Sequence, residues 1–383
     1  MGDRRDRRTE GHTGSPEGDD TGRQGDDTER RGDDTGRQGD DRSGPIDGQQ
    51  EPIAVAADDD VDLYDVVTWE ERTSLDGLAV ALYWVLRRTA KAIVIVTALS
   101  LLVVIGGAAA LTDPGIAMLT ALSILPALAL TAYVYASDLT TNEPPSLLFA
   151  TFVLSILFAA FAAIVNTVMR GFFEPFGLIG LVLFFFLIVG PGEETVKLLA
   201  VWLYAYRDRR FDAVIDGAVY GAIAGLGFAT IENSLYIARV IGFGEFSIGF
   251  AVIDDGGGIT AIRALAGPGH VIYSAFAGYY LGLAKFNPDH RGPIILKGIL
   301  IAAAIHATYN STVGIATGAI VTVTGLPSLA AFFIYVIAFM SLFGLVLMRK
   351  LWRYNRIHRK AHDDDDDRDT DDDRDASDEN RIE

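Results

Sequence analysis

An all-α, polytopic membrane bundle of about eight transmembrane helices with disordered acidic tails is the architecture this sequence predicts. Three observations carry the expectation. Apolar runs of roughly 17–25 residues, the length that crosses a hydrocarbon core as helix, recur from about Lys91 to Met348. Half of the residues are hydrophobic although the formal net charge is −18, so the charge must be segregated from the apolar runs. Basic residues cluster at alternate ends of those runs, as the orientation rule for membrane helices requires.

Taken in order, residues 1–68 form an acidic low-complexity tail in which "GDDTGRQGDD" occurs at 18–27 and again at 32–41. Such a composition cannot bury enough apolar surface to fold. No basic start followed by a short apolar core is seen here, so the tail is expected to stay in the cytoplasm. Residues 69–91 mix Leu75, Leu78, Leu82 and Val85 with charges and reach Arg87 and Arg88, which suits a helix at the membrane surface. The transmembrane domain is expected over 92–350, with spans near 92–111, 116–136, 147–168, 176–206, 214–241, 265–285, 292–316 and 326–348. Pro191-Gly192 falls inside the long fourth span and predicts either two stacked half-helices or one kinked helix. The Gly-rich "IDDGGGIT" at 253–260 reads as an outer loop. Residues 351–383 are a basic juxtamembrane segment followed by a second acidic disordered tail.

With eight spans and the N-terminus inside, Arg87, Arg88, Lys91, the "RDRR" at 207–210, Lys285, Arg291 and "RKLWRYNRIHRK" all fall on the cytoplasmic side. Arg170, Arg263 and "TDPG" fall opposite. The expected location is the cell membrane, multi-pass, with both termini cytoplasmic. The absence of cysteine excludes disulfides, thiolate catalysis and cysteine metal ligands. The acidic balance argues against nucleic acid as a partner.

Polar residues interrupt four spans. Glu193, Glu194 and Lys197 stand in the fourth, Glu232 and Asn233 in the fifth, His270 in the sixth, His306 and Asn310 in the seventh. At 1.5 Å per residue, Glu194 lies ~20 Å from Arg207, Glu232 ~24 Å from Asp216, His270 ~22 Å from Lys285 and His306 ~22 Å from Arg291. Four helices therefore bring polar side chains to one depth, which predicts a single buried site, since intramembrane charge is costly and usually functional. Small residues in "GAIAGLGFA" and "AAAIHA" allow close helix approach. Taken singly, Glu193 and Lys197 also read as a neutralising pair, His270 and His306 as hydrogen-bonding partners between helices, and Asn233 and Asn310 as amides joining helices.

Two histidines and a carboxylate can hold zinc with a position open for water, while a further glutamate takes that water's proton. The same residues can work without metal, a glutamate activating water and His and Asn donors stabilising the oxyanion. Neither H-E-x-x-H nor G-x-S-x-G is present. A transporter or channel with a Glu/Lys/His proton or ion relay is the alternative class, although the two halves show no inverted repeat. A scaffold that binds through its acidic tails is a third.

"EETVK" as E-E-x-x-K, "FATIEN" as F-x-x-x-E-N, the lone membrane His270 and "HATYN" together resemble the PrsW family of intramembrane metalloproteases, distant relatives of CAAX prenyl proteases and bacteriocin-processing enzymes. The resemblance spans about residues 90–350. It implies hydrolysis of peptide bonds in membrane-anchored proteins, anti-sigma-type regulators among them. It further implies catalytic Glu193 and Glu194, with His270 and His306 as metal ligands or oxyanion partners, and Glu232 as a third ligand or a carboxylate behind the ligands. Lys197, Asn233 and Asn310 would support them. CAAX-type enzymes commonly carry histidine where this chain has Glu232.

Overall fold

A computed structural model describes residues 62, 64, 69–104, 106–138, 143–241 and 251–379; for 91, 251–257 and 361–379 it describes the backbone alone. The repeats at 18–41 lie outside the described residues. Two compact units divide the chain, 1–78 and 79–383. In the first, Thr73 and Asp76 form a reciprocal capping box: Asp76 accepts from the Thr73 backbone N–H at 2.7 Å, and Thr73 Oγ1 accepts from that of Asp76 at 3.2 Å.

The cap opens α1 (Ser74–Val104), one continuous helix in place of the separate surface helix and first span expected from the sequence. No proline interrupts it, and its only glycine is Gly77. The other helices are α2 (Pro114–Ala136), α3 (Pro145–Phe173), α4 (Gly177–Phe184), α5 (Gly190–Leu203), α6 (Val214–Ile241), α7 (Ala251–Lys285), α8 (Arg291–Thr324) and α9 (Ser328–Glu379), with a single helical turn at Ala109–Thr112. The described residues contain no β-strand. Asp113 fixes the start of α2, its Oδ1 accepting from the N–H groups of Gly115 and Ile116 at 2.8 and 3.1 Å.

Among the described residues, five helical stretches are long and apolar enough to cross a membrane: 114–136, 145–207, 214–241, 288–324 and 328–360; the apolar helix 92–104 is shorter. The 63-residue stretch 145–207 contains two of the expected spans. Its halves reverse at Gly177, whose φ of 56° disfavours any residue with a Cβ. Ala159 and Ala162 of α3 then pack near Val196 of α5, while Leu157 and Phe158 pack near Ala200. A π-helical turn, Phe185–Val189, precedes Gly190 and Pro191 and joins α4 to α5. It takes up the disturbance that Pro191 makes by lacking an N–H and crowding the preceding turn.

At the centre, α6 and the part of α7 from Thr260 on are largely buried. Their contact depends on small residues: a Cβ at Gly221 would lie 2.2 Å from the carbonyl oxygen of Ser274, and one at Gly225 2.3 Å from that of His270. Two expectations are corrected here. The stretch 253–260 is helical backbone at the start of α7, not a loop, because it continues a packed helix whose tertiary contacts outweigh glycine's low propensity. The acidic tail that follows the basic segment 351–360, expected to be disordered, continues α9 as helical backbone to Glu379; after Gly344 that helix contains no proline or glycine to end it.

Candidate active site

The π turn and the close approach of α5 to α8 determine where the glutamates point. A Cβ on Gly190 would lie 2.7 Å from the carbonyl oxygen of Ala303, so only glycine lets α5 reach α8 one turn before His306. Glu193, Glu194 and Lys197, at most 4% exposed, therefore face the interior of the bundle. They meet His270 from α7 and His306 from α8, which are 5% and 3% exposed.

Glu194 is the hub of the buried half. Lys197 Nζ donates to its Oε1 at 2.7 Å, His306 Nδ1 lies 2.9 Å from the same oxygen, and Ser274 Oγ donates to Oε2 at 3.2 Å. Lys197 Nζ also stands 3.0 Å from His270 Nδ1, 4.0 Å from Glu193 Oε2 and 4.2 Å above the centre of the Phe228 ring. Every proton of the ammonium thus points at an acceptor or a π face.

Glu193 faces the other way. Its Oε1 accepts from Asn166 Nδ2 of α3 at 2.9 Å, while its buried Oε2 has no hydrogen-bond partner and lies 3.8 Å from His306 Nε2. One ligand atom from each of Glu193, His270 and His306 falls within 4.8 Å of the others, close enough to surround one ion. Glu232 stands across from them. Its Oε2 is 2.7 Å from His270 Nε2 and accepts from an Arg263 guanidinium nitrogen at 2.5 Å.

These groups line a cavity of about 430 Å³, bounded on its polar side by Asn166, Glu193, Glu232, Arg263, His270 and His306. That size is ordinary for a small-molecule or peptide subsite. Asn310 lines the same cavity one turn beyond His306. Asn233 does not line it: its amide donates to Ser123 Oγ at 2.9 Å and its Oδ1 accepts from Arg263 Nε at 2.8 Å, so it braces the arginine that holds Glu232.

All five expected catalytic residues therefore come together, and the expected supporting residues divide: Lys197 within the cluster, Asn310 on the cavity wall, Asn233 behind Arg263. The close-set ligand group takes Glu193 where the sequence put Glu232. Arg263 and Asn166 were missed. From the sequence Arg263 falls in the outer loop ahead of a span that begins at 265. Asn166 carried a readable signal, as the only amide in the apolar stretch "LLFATFVLSILFAAFAAIVN".

The residue set tests well against a divalent ion. The buried Glu193 Oε2 is a ligand atom without a hydrogen bond, and His306 presents Nε2 because its Nδ1 faces Glu194, the usual carboxylate behind a metal-bound histidine. His270 Nδ1 accepts from the Lys197 ammonium, so Nε2 carries the ring proton toward Glu232. Ligation through that nitrogen needs the other tautomer, with the ring proton on Nδ1 and Lys197 turned from it toward Glu194 and Glu193.

Comparison with known proteins adds the following. The model of the PrsW family intramembrane metalloprotease matches residues 143–345. Protease PrsW of Bacillus subtilis is 30% identical over 189 residues, covering 49% of this chain and 78% of that protein. Protease PrsW of Shouchella clausii is 29% identical over 192 residues, 49% of this chain and 80% of the relative. Protease PrsW of Oceanobacillus iheyensis is 28% identical over 241 residues, 62% and 97% respectively. No solved structure matches the chain.

Proposed function

Because the chain belongs to the PrsW family of intramembrane metalloproteases and is a multi-pass membrane peptidase, we propose that its hydrolytic centre is the cavity-facing group Glu193, His270 and His306, with Glu232 as the proton carrier. The observation that carries this reading is the Oε2 of Glu193, without a hydrogen bond and buried beside two imidazoles on the wall of a cavity. Leaving a buried carboxylate oxygen without a hydrogen bond is costly, and a ligand at that point removes the cost.

Glu193, His270 and His306 would hold the ion, zinc by the nitrogen and oxygen donor set; when bound, it supplies a Lewis acid that makes water nucleophilic and polarises the scissile carbonyl. The chain's own residues do the remaining work. Asn166 fixes the Oε1 side of Glu193 and so aims Oε2. Glu194, neutralised by Lys197, holds the ring of His306, which makes it a positioning residue. Glu232 receives the proton of the attacking water and returns it to the amine as the C–N bond breaks, leaving a carboxylic acid and an amine. Arg263 anchors Glu232 at the cavity wall. Relative to the expectation from sequence, Glu193 and Glu232 exchange the roles of base and ligand.

The substrate is a membrane-anchored protein, with anti-sigma-type regulators the class implied by the family resemblance. The clusters at Arg87–Arg88, 207–210, Lys285–Arg291 and 349–360 face the cytoplasm in this reading, with both termini. The cavity then opens in the half of the bilayer away from them. Two measurements on purified protein test the assignment: bound metal per chain, and cleavage of single-span membrane peptides in liposomes. Glu232→Gln should keep the metal and lose turnover, whereas Glu193→Gln should lose both. The opposite pattern would restore the roles expected from sequence, and activity in a metal-free, chelator-treated preparation would assign a metal-independent water mechanism.

A further inference from the structure

A second cavity, of about 860 Å³, lies between α7, α8 and α9 at the basic end of the bundle. Its lining begins at Ile305, beside His306 in sequence, and reaches Tyr280, ten residues and so ~15 Å along α7 from His270, at the end that carries the cations. Its deep wall is apolar, with Phe276, Ile301 and Phe343, and its rim carries Arg349, Lys350 and Arg353. Val346 and Ile357, also in its lining, are 45% and 58% exposed, so one side opens outward along α9.

Among the described residues, the cations at this rim have no carboxylate partner. Lys350 Nζ sits over the rings of Tyr279 and Tyr280 at 4.3 and 4.7 Å, and Lys297 sits over the Tyr280 ring at 5.4 Å. Among the described residues, none of Lys297, Arg349, Lys350 and Arg353 forms an ion pair with a carboxylate. Trp352, half exposed beside them, is the side chain type that settles at headgroup level. Apolar walls at acyl depth, a guanidinium pair and an ammonium where the helix leaves the apolar zone, and an opening along its side together describe one ligand.

We propose that this cavity binds an anionic phospholipid, with the acyl chain against Phe276, Ile301 and Phe343 and the phosphate between Arg349, Lys350 and Arg353. Arginine supplies planar paired donors to phosphate oxygens, and lysine a point charge held in place by its tyrosines. Basic pockets between membrane helices recognise headgroups in this way.

Native mass spectrometry of the full chain, released from micelles containing equal phosphatidylglycerol and phosphatidylcholine, tests it. Phosphatidylglycerol should be retained at least about tenfold over phosphatidylcholine, since each basic residue near a headgroup contributes enough for several-fold preference. Arg349→Gln/Arg353→Gln should abolish the preference while peptide cleavage in the same micelles persists. Ala304→Trp, which fills the lining from an exposed position on α8, should lower retention of both lipids and leaves the rim charges in place. Equal retention of the two lipids, an undiminished preference in the double variant, or displacement of the lipid by inorganic phosphate at matched concentration would each overturn the proposal. Because the readout is bound lipid, it stands or falls separately from the assignment of Glu193 and Glu232.

Discussion

Replacing Lys197 by Met should destabilise the bundle by about 3–5 kcal/mol, the usual result of removing one partner from a buried ion pair. The size follows from the geometry. At 2.7 Å from Glu194 Oε1, and 1% exposed against 0%, the ammonium attracts the carboxylate by about 6 kcal/mol at an effective dielectric near 20, most of it offset by desolvation. Without Lys197 the desolvation of Glu194 remains and the attraction does not. Glu194→Gln alone should cost less, about 1.5–3 kcal/mol, because Lys197 keeps His270 at 3.0 Å, Glu193 at 4.0 Å and the Phe228 ring. In the double variant neither charge is stranded, so its loss should fall short of the sum by about 1–3 kcal/mol. Unfolding in mixed micelles by titrated dodecyl sulfate, followed by tryptophan fluorescence, measures all three. Peptide cleavage should remain about 10–100-fold down in the double variant, since His306 has lost the carboxylate that orients it. Additive losses within about 0.5 kcal/mol, or full activity in the double variant, would refute the view that Lys197 neutralises while Glu194 positions.

Other consequences are accessible with the same preparation. Glu193→Gln and Glu232→Gln should each lower turnover by about 10²–10⁴-fold with unfolding little changed, and metal content separates them as described above. Gly225→Ala should lower both stability and cleavage, because its Cβ would fall 2.3 Å from the His270 carbonyl oxygen and α7 must retreat, taking the imidazole with it; near-normal cleavage would show that the helices have slack. Stability should fall as pH rises between about 4.5 and 8, because burial and the neighbouring Asp138 carboxylate push Glu143, before α3, up to about 8; the folded state then holds a proton that the unfolded state has released, and Glu143→Gln should flatten that slope in unfolding measured across pH. In this chain without cysteine, Asn310→Cys should react with a polar thiol reagent applied from the side opposite the basic clusters, and Leu183→Cys, 42% exposed on the apolar face of α4, should not. Reaction from the cluster side alone would reverse the orientation.

Much of the bundle was legible because its determinants are additive along the chain. Apolar length marks a span whatever its neighbours do, and the basic ends of 207–210, Lys285 and Arg291 gave each span a ruler from which the depth of Glu194, Glu232, His270 and His306 could be measured. That ruler worked because helical rise is constant. It measures height, however, and carries no information on azimuth or on which atom of a side chain meets which. Glu193 and Glu232 stand at similar height, and only the packing of α3 against α5 and of α7 against α6 decides that Glu193 keeps an oxygen without a hydrogen bond beside the imidazoles while Glu232 is claimed by Arg263. Arg263 itself was hidden by local propensity: three consecutive glycines argue for a loop, yet the tertiary contacts of α7 extend the helix through them and carry the arginine inward. Asn166 illustrates the remaining gap. An amide in an apolar helix announces that it needs a partner, but the partner is 27 residues away, beyond a reversal at Gly177 and a π turn that no periodicity encodes. The site is thus set by where three irregularities occur, the positive φ at Gly177, the π turn before Pro191 and the close contact of Gly190 with α8, each of which rotates a helix that the apolar pattern alone would leave free to turn.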